Sequence, residues 1–200
     1  MIILGAGRPD PPEDGTIPAV HTYIALLRAV NLAGRGRVAM ADLRDLVTAA
    51  GHGDVATYLQ SGNVVFTSDR TDPEALSADL RQRLAGELGV DTQVLVRTGT
   101  EITGIAAHHP FREAQPDHAK LHVAFLAAEP DPGRAAQLTV PDGAPEELHL
   151  AGREVYLHYP AGAGRSRLTA AYLEKWLGVG VTARNWKTVT ALAGLARQRA

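Results

Sequence analysis

The sequence predicts an α+β protein of two tandem ferredoxin-like βαββαβ subdomains, residues 22–112 and 118–200, behind a flexible N-terminal extension, residues 1–21. Three observations predict it. Short apolar runs and stretches of helical periodicity follow one another in the order strand, helix, strand, strand, helix, strand. That order occurs twice, with a break between Pro110 and Asp117. The chain has 200 residues, enough for two units of roughly 100 each. The split βαβ unit is a recurring motif, and right-handed crossovers leave few ways to wind it. The repeat lies in element order, with little residue identity between the halves.

The elements follow in turn. Tyr23-Ile24-Ala25-Leu26-Leu27 is apolar throughout, as a strand buried on both faces requires. After a loop with Gly34 and Gly36, Met40, Leu43, Leu46, Val47 and Ala50 recur at helical spacing, and Gly51 stops the helix. Val55 to Leu59 and Val64 to Phe66 form a hairpin around Gln60-Ser61-Gly62-Asn63. Asp72 caps a helix with Pro73 in its first turn, Leu76, Leu80, Leu84 and Leu88 along its stripe and Gly89 at its end. Gln93 to Arg97 is a strand. Thr98 and Glu101 have capping-box spacing and open a short helix that ends before Pro110.

The second half begins with Leu121 to Leu126, a strand, and a helix opened by Asp131-Pro132. Glu147 to Leu150 and Glu154 to Tyr159 form a hairpin around Ala151-Gly152. Leu168, Tyr172, Trp176 and Leu177 mark a helix, Val179 to Ala183 a short strand, and Trp186, Val189, Leu192, Ala193 and Ala196 the last helix.

Composition narrows the chemistry. Apolar residues at 45% and charged residues at 21% suit a chain with a real core. Cysteine is absent, which excludes disulfides, thiolate catalysis and cysteine-held metals and suits a cytoplasmic setting. No apolar run approaches the roughly 20 residues that span a bilayer, so no membrane partner is expected. Residues 69–152 carry seven Lys+Arg against fourteen Asp+Glu, and residues 153–200 eight against two. Such segregation marks a partner surface, or two regions that attract each other.

Four segments resemble a bacterial family known as domain of unknown function 1697. They are Tyr23 to Asn31, Tyr58 to Phe66, Gly164 to Thr169 and Arg184 to Val189. The resemblance runs from about Thr22 to the C-terminus and implies paired ferredoxin-like subdomains, without an assigned activity. Members typically show Gly where Ala29 stands, Pro where Ala39 stands and Lys where Arg167 stands. Arg in place of Lys keeps the charge and changes the donor geometry.

Two clusters emerge as candidate sites. In a βαββαβ sheet the first two strands run the same way. The loop after the first and the hairpin after the second therefore share one end. That places Arg28, Asn31, Arg35 and Arg37 near Gln60, Ser61 and Asn63, with no carboxylate among them. Arginines with exposed turn amides can hold a phosphate or a carboxylate. The plainer roles are a tight hairpin built by Gly62 and Asn63, and solvated loop charges. In the second half, Gly162 to Arg167, including Arg165, Ser166 and Arg167, lies beside Arg184, Asn185, Trp186 and Lys187. A Gly-rich loop entering a helix can bind an anion. It lacks the ending of a P-loop, which excludes that class of nucleotide triphosphatase. Ser166 and Asn185 can equally be helix caps, and Trp186 core.

His108, His109, His118 and His122 invite a metal reading, but no acidic residue stands where it would orient their rings, and no metal or cofactor is expected. No G-x-S-x-G elbow or other catalytic constellation appears. The reading that follows is a cytoplasmic binding protein for a phosphate-bearing ligand, a nucleotide or nucleic acid. Two alternatives stand beside it. One is an enzyme acting on a small anionic substrate, with a histidine such as His158 as acid or base. The other is a protein-interaction module. Tyr156 and Tyr159 are the only aromatic candidates for base stacking in the second hairpin, and they point to opposite faces.

Overall fold

The structure is a computed structural model that describes residues 19–31, 37–115 and 117–200. It is a mixed α+β chain with two four-stranded antiparallel sheets and, among the described residues, six α-helices. The first half runs β1 (His21–Leu27), α1 (Met40–Ala49), β2 (Gly53–Tyr58), β3 (Asn63–Ser68), α2 (Pro73–Leu88), β4 (Val94–Thr98) and α3 (Gly99–Ala107). The second runs β5 (Leu121–Leu126), α4 (Pro132–Ala136), β6 (Glu147–Ala151), β7 (Glu154–His158), α5 (Ala170–Leu177), β8 (Val181–Asn185) and α6 (Trp186–Arg197). The sheets have matching orders, β2-β3-β1-β4 and β6-β7-β5-β8.

The central strands of both sheets are buried on both faces, which accounts for the apolar run of β1. Tyr23, Ala25, Leu27, Val64, Phe66, Val94 and Val96 pack outward against Leu43 and Leu46 of α1 and Leu76, Leu80 and Leu84 of α2. Leu126, Val155, Leu157 and Tyr159 of the second sheet pack outward against Leu173 and Leu177 of α5. The inner faces share one central cluster, in which Ile24, Leu26, Val65 and Leu95 join Leu121, Val123, Phe125 and Tyr156. Ile102 and Ile105 of α3 and Trp186, Val189 and Leu192 of α6 complete it.

Local chemistry sets the element ends. Asp72 accepts the Glu74 and Ala75 amides at the head of α2, and Gly89 closes that helix with φ 65°. Thr98 and Glu101 form a reciprocal capping box. Gly178, at φ 72°, ends α5. Val179 and Gly180 are therefore spent on the turn, and β8 starts at Val181, two residues later than the apolar run suggests. β1 begins at His21, one residue inside the expected extension; the rest of that extension described here is Ala19 and Val20.

The outer edges of β4 and β8 are closed by side chains. The Val94 carbonyl takes the Ser77 hydroxyl, the Val96 carbonyl takes Arg97 Nη1 at 3.2 Å, and the Thr98 amide donates to Glu101 at 2.7 Å. On β8, the Val181 amide donates to Glu174 Oε1 at 2.9 Å and the Ala183 carbonyl takes Arg184 Nη1 at 2.9 Å. Occupied edge groups offer little to a further strand.

Candidate functional site

Two arginines join the halves. Arg97, next to last in β4, crosses to the second half. Its Nη2 donates to the carbonyls of Leu126 (2.7 Å) and Arg153 (3.3 Å), and its Nε to Glu154 Oε1 at 2.9 Å. Arg184, next to last in β8, crosses the other way. Its Nη2 donates to the carbonyls of Leu27 (2.8 Å), Ser61 (3.0 Å) and Gly62 (3.4 Å), and its Nε to Asn63 Oδ1 at 2.6 Å. The acceptors occupy corresponding places: the last residue of β1 or β5, the hairpin turn, and the first residue of β3 or β7. Where Arg97 meets a carboxylate, Arg184 meets an amide. Among the described residues, no carboxylate lies within ion-pair distance of Arg184. Burial alone pulls its pKa down to about 10, so the group remains charged at neutral pH.

The β1–α1 loop and the β2–β3 hairpin do meet at this end. Asn31 donates to the carbonyls of Val38 (2.9 Å) and Gln60 (2.8 Å), while its oxygen accepts the Val38 amide (3.0 Å). Asn63 is fully buried, with its amide nitrogen given to Tyr58 O (2.8 Å) and Ser61 Oγ (2.9 Å) and its oxygen to Arg184. Both asparagines are thus builders of the site, with both amide donors of each already spent. Gln60 and Arg37 are exposed and Ser61 is half-buried. Arg35 lies outside the described residues.

The expectation that this end holds no carboxylate is corrected by tertiary packing. Arg28 Nη2 donates to Glu174 Oε2 at 2.7 Å, from a helix 146 positions along the chain. The Arg28 side chain keeps 42% of its surface exposed. This end therefore holds the Glu174 carboxylate together with the guanidinium groups of Arg28 and Arg184.

The Gly-rich segment of the second half is arranged differently from the expectation. A 3-10 turn over Ala163–Arg165 follows Gly162, and Thr169, rather than Ser166, caps α5 by accepting the Tyr172 amide. Five residues therefore separate Gly164 from the helix, and its turn does not present the free amides of a helix start. Ser166 accepts the Leu168 amide at 2.9 Å. Arg165 is exposed, and exposed Arg167 donates to the Asp142 carbonyl. Asn185 caps α6 through the Thr188 amide at 2.8 Å, with exposed Lys187 beside it. Trp186 is 1% exposed and sits in the central cluster, its ring 4.7 Å from that of His109.

The histidines are absorbed locally. His109 is buried against Trp186, Tyr156 and Phe111; its Nδ1 accepts the Phe111 amide and its Nε2 donates to the His122 carbonyl at 3.2 Å. Burial holds its pKa down at about 4. His158 donates from Nδ1 to Glu147 at 2.7 Å and accepts from Gln115 at 3.1 Å, so neither ring nitrogen is left for a substrate proton. Among the described residues, no three His, Cys, Asp or Glu side chains converge as a metal site would require. No helix among them is long and apolar enough to cross a membrane.

Sequence reasoning missed both bridging arginines as a pair, and Glu174. The signal present was the shared pattern of an arginine followed by a capping residue and then a helix, Arg97-Thr98 and Arg184-Asn185.

Comparison with known proteins adds fold and family. No curated protein matches the sequence. A solved structure of "conserved bacterial protein SP0830" from Streptococcus pneumoniae superposes with a TM-score of 0.67 at 22% identity, covering 89% of this chain and 99% of that one. That likeness shows a shared fold. Two of the four motifs that carry the resemblance, Tyr23 to Asn31 and Tyr58 to Phe66, lie inside the segment matched by a family, and two lie beyond it. Over residues 20–156 the chain belongs to the family described as Protein of unknown function (DUF1697).

Proposed function

We propose that the chain is a cytoplasmic binding protein for a phosphate-bearing ligand, a nucleotide or nucleic acid, seated over the β2–β3 hairpin turn. In this reading each half is a ferredoxin-like subdomain, residues 22–112 and 118–200. Supporting that are the βαββαβ order in each half and the strand order β2-β3-β1-β4, repeated as β6-β7-β5-β8.

The observation that carries the binding reading is Arg184. A desolvated guanidinium with only neutral acceptors leaves a net positive charge beneath the hairpin, and a buried charge is screened little by solvent. In this reading Arg28, Arg37, Gln60 and Ser61, all on the loop and hairpin at this end, form the rim. An anion placed there gains charge-assisted bonds from the rim and compensates the charge below. Arg165, Arg167 and Lys187 add basic character elsewhere, but the turn geometry around them builds no cradle.

The test compares the parent with an Arg28→Ala, Arg37→Ala double variant, after thermal unfolding confirms equal stability. Inorganic phosphate, a nucleotide and a single-stranded oligonucleotide are titrated at low and moderate salt. The expected outcome is a loss of roughly tenfold or more in affinity, as for removal of charged hydrogen bonds. A steep salt dependence identifies nucleic acid, through counterion release. Absence of parental binding to all three, or equal binding by both proteins, overturns the reading.

A further inference from the structure

The two ends of the interface serve as each other's control. In both, the residue after the first strand donates its amide across: Arg28 to the Gln93 carbonyl and Ala127 to the Gly180 carbonyl, each at 2.9 Å. In both, the residue five past the cap of the second helix ties that helix to the start of the fourth strand. Ser77 does so through the Val94 carbonyl, and Glu174 through the Val181 amide. At the Arg97 end these positions hold Ala127 and Ser77, which form no ion pair with each other. At the Arg184 end they hold Arg28 and Glu174, paired at 2.7 Å. The pair therefore exceeds what the architecture needs, and it occurs only where the buried arginine is uncompensated.

We propose that Glu174 is a built-in competitor for Arg28, and that the site consequently selects dianionic phosphate monoesters over singly charged phosphodiesters and carboxylates. This rests on the binding reading above. The carboxylate takes a hydrogen bond from Arg28 Nη2, a donor that an anionic ligand would compete for. A monoanion merely exchanges one negative partner for another. A phosphate monoester carries about −1.5 to −2 at pH 7 and more acceptor oxygens, so it displaces Glu174 with a net gain. Glu174 stays tethered by the Val181 amide, ready to return when the ligand leaves.

The test uses the full chain with adenosine 5′-monophosphate, its 3′,5′-cyclic diester and inorganic phosphate as probes. Two variants relieve the competition. Glu174→Gln keeps an acceptor for Val181, and Glu174→Ser copies the residue at the other end. The parent is expected to prefer the monoester to the cyclic diester, increasingly so as pH rises through about 6, where the second phosphate proton is lost. Either variant is expected to tighten the diester by about threefold, the scale of a part-exposed ion pair, and to narrow the preference. Monoester binding that is equal in parent and both variants, with an unchanged preference, overturns the competitor and leaves the binding reading intact. No binding of any probe to any variant overturns both.

Discussion

At one end of the interface Arg97 meets the carboxylate of Glu154; at the other Arg184 meets the amide of Asn63. Their backbone partners occupy corresponding places, with two turn carbonyls on Arg184 and one on Arg97, so the mechanical task is shared and the electrostatics differ. Arg97 is held in a compensated site: burial lowers its pKa, and Glu154 pulls it back up. Arg184 has burial alone acting on it. A duplicated architecture thus separates what the fold demands from what one end has added. The fold demands a guanidinium that caps strand-end and turn carbonyls of the other half. A counter-carboxylate is optional, and the end that lacks one carries the basic rim.

The most direct way to break this comparison is to remove each arginine in turn. Arg97→Met strands the Glu154 carboxylate, whose side chain is 16% exposed, beside unpaired carbonyls. Breaking a buried pair in this way costs about 3–5 kcal/mol. Arg184→Met strands only neutral acceptors and also removes an uncompensated buried cation. Its expected cost is smaller, about 2–3 kcal/mol, set by unsatisfied polar groups. Urea unfolding of both variants measures the difference. A larger loss for Arg184→Met would show that carbonyl capping, and not charge pairing, dominates at both ends.

A second asymmetry lies where the last helices begin. Gly99 opens α3 where a Cβ would stand 3.2 Å from that of Thr22, whereas Trp186 opens α6 and fills the inner cluster. Trp186 in turn holds His109, from the segment after α3, and this buried histidine gives the fold a pH dependence. The folded pKa of His109 is about 4, and the unfolded value is about 6.5. The unfolded chain therefore binds more protons between these values, and stability falls as pH drops through that window. The full effect is on the order of 3 kcal/mol, present above pH 6.5 and lost toward pH 4. His52 and His122 are also held down by burial and add in the same direction. Unfolding midpoints at pH 7 and pH 4.5 are expected to converge in His109→Asn relative to the parent. An unchanged pH response in the variant would place the sensitivity at the other two histidines.

The element order, the caps at Asp72 and Thr98 and the meeting of the β1–α1 loop with the β2–β3 hairpin were all legible in the sequence. Each is set by local periodicity, capping chemistry or strand direction. The roles of Asn31 and Asn63 were legible only in part. Both residues are at the predicted place, but their donors are spent on carbonyls that a single sequence does not reveal. Glu174 was out of reach altogether, because its partner Arg28 lies 146 residues away and nothing near either residue signals the other. Ser166 reads as an equal candidate for a helix cap because the intervening 3-10 turn has no periodic signature of its own. In the matched sheets, the same strand ends accept a buried arginine at both ends, and recognising that needed the two registers side by side.

The smallest test concerns the loop that carries Arg28. Ala29 adopts φ 51°, a left-handed conformation that costs an L-residue roughly 1–2 kcal/mol. Glycine adopts this conformation without that steric cost. The corresponding residue after β5 is Ala128, which is not among the described positive-φ residues. Ala29→Gly relieves the strain and gives back part of the gain through the greater freedom of the unfolded chain, about 0.5–1 kcal/mol. The expected net effect is a stabilisation of about 0.5 kcal/mol, or a rise of about 1–2 °C in Tm for a chain of this size. Ala128→Gly gains nothing in the folded state and is expected to lose about 0.5–1 kcal/mol. Differential scanning calorimetry of the two variants reads the contrast directly. Shifts of the same sign in both would show that the two loops are conformationally alike, removing backbone strain from the list of differences between the Arg184 and Arg97 ends. Opposite shifts would place that strain specifically beneath Arg28, on the side of the molecule where the buried charge is uncompensated.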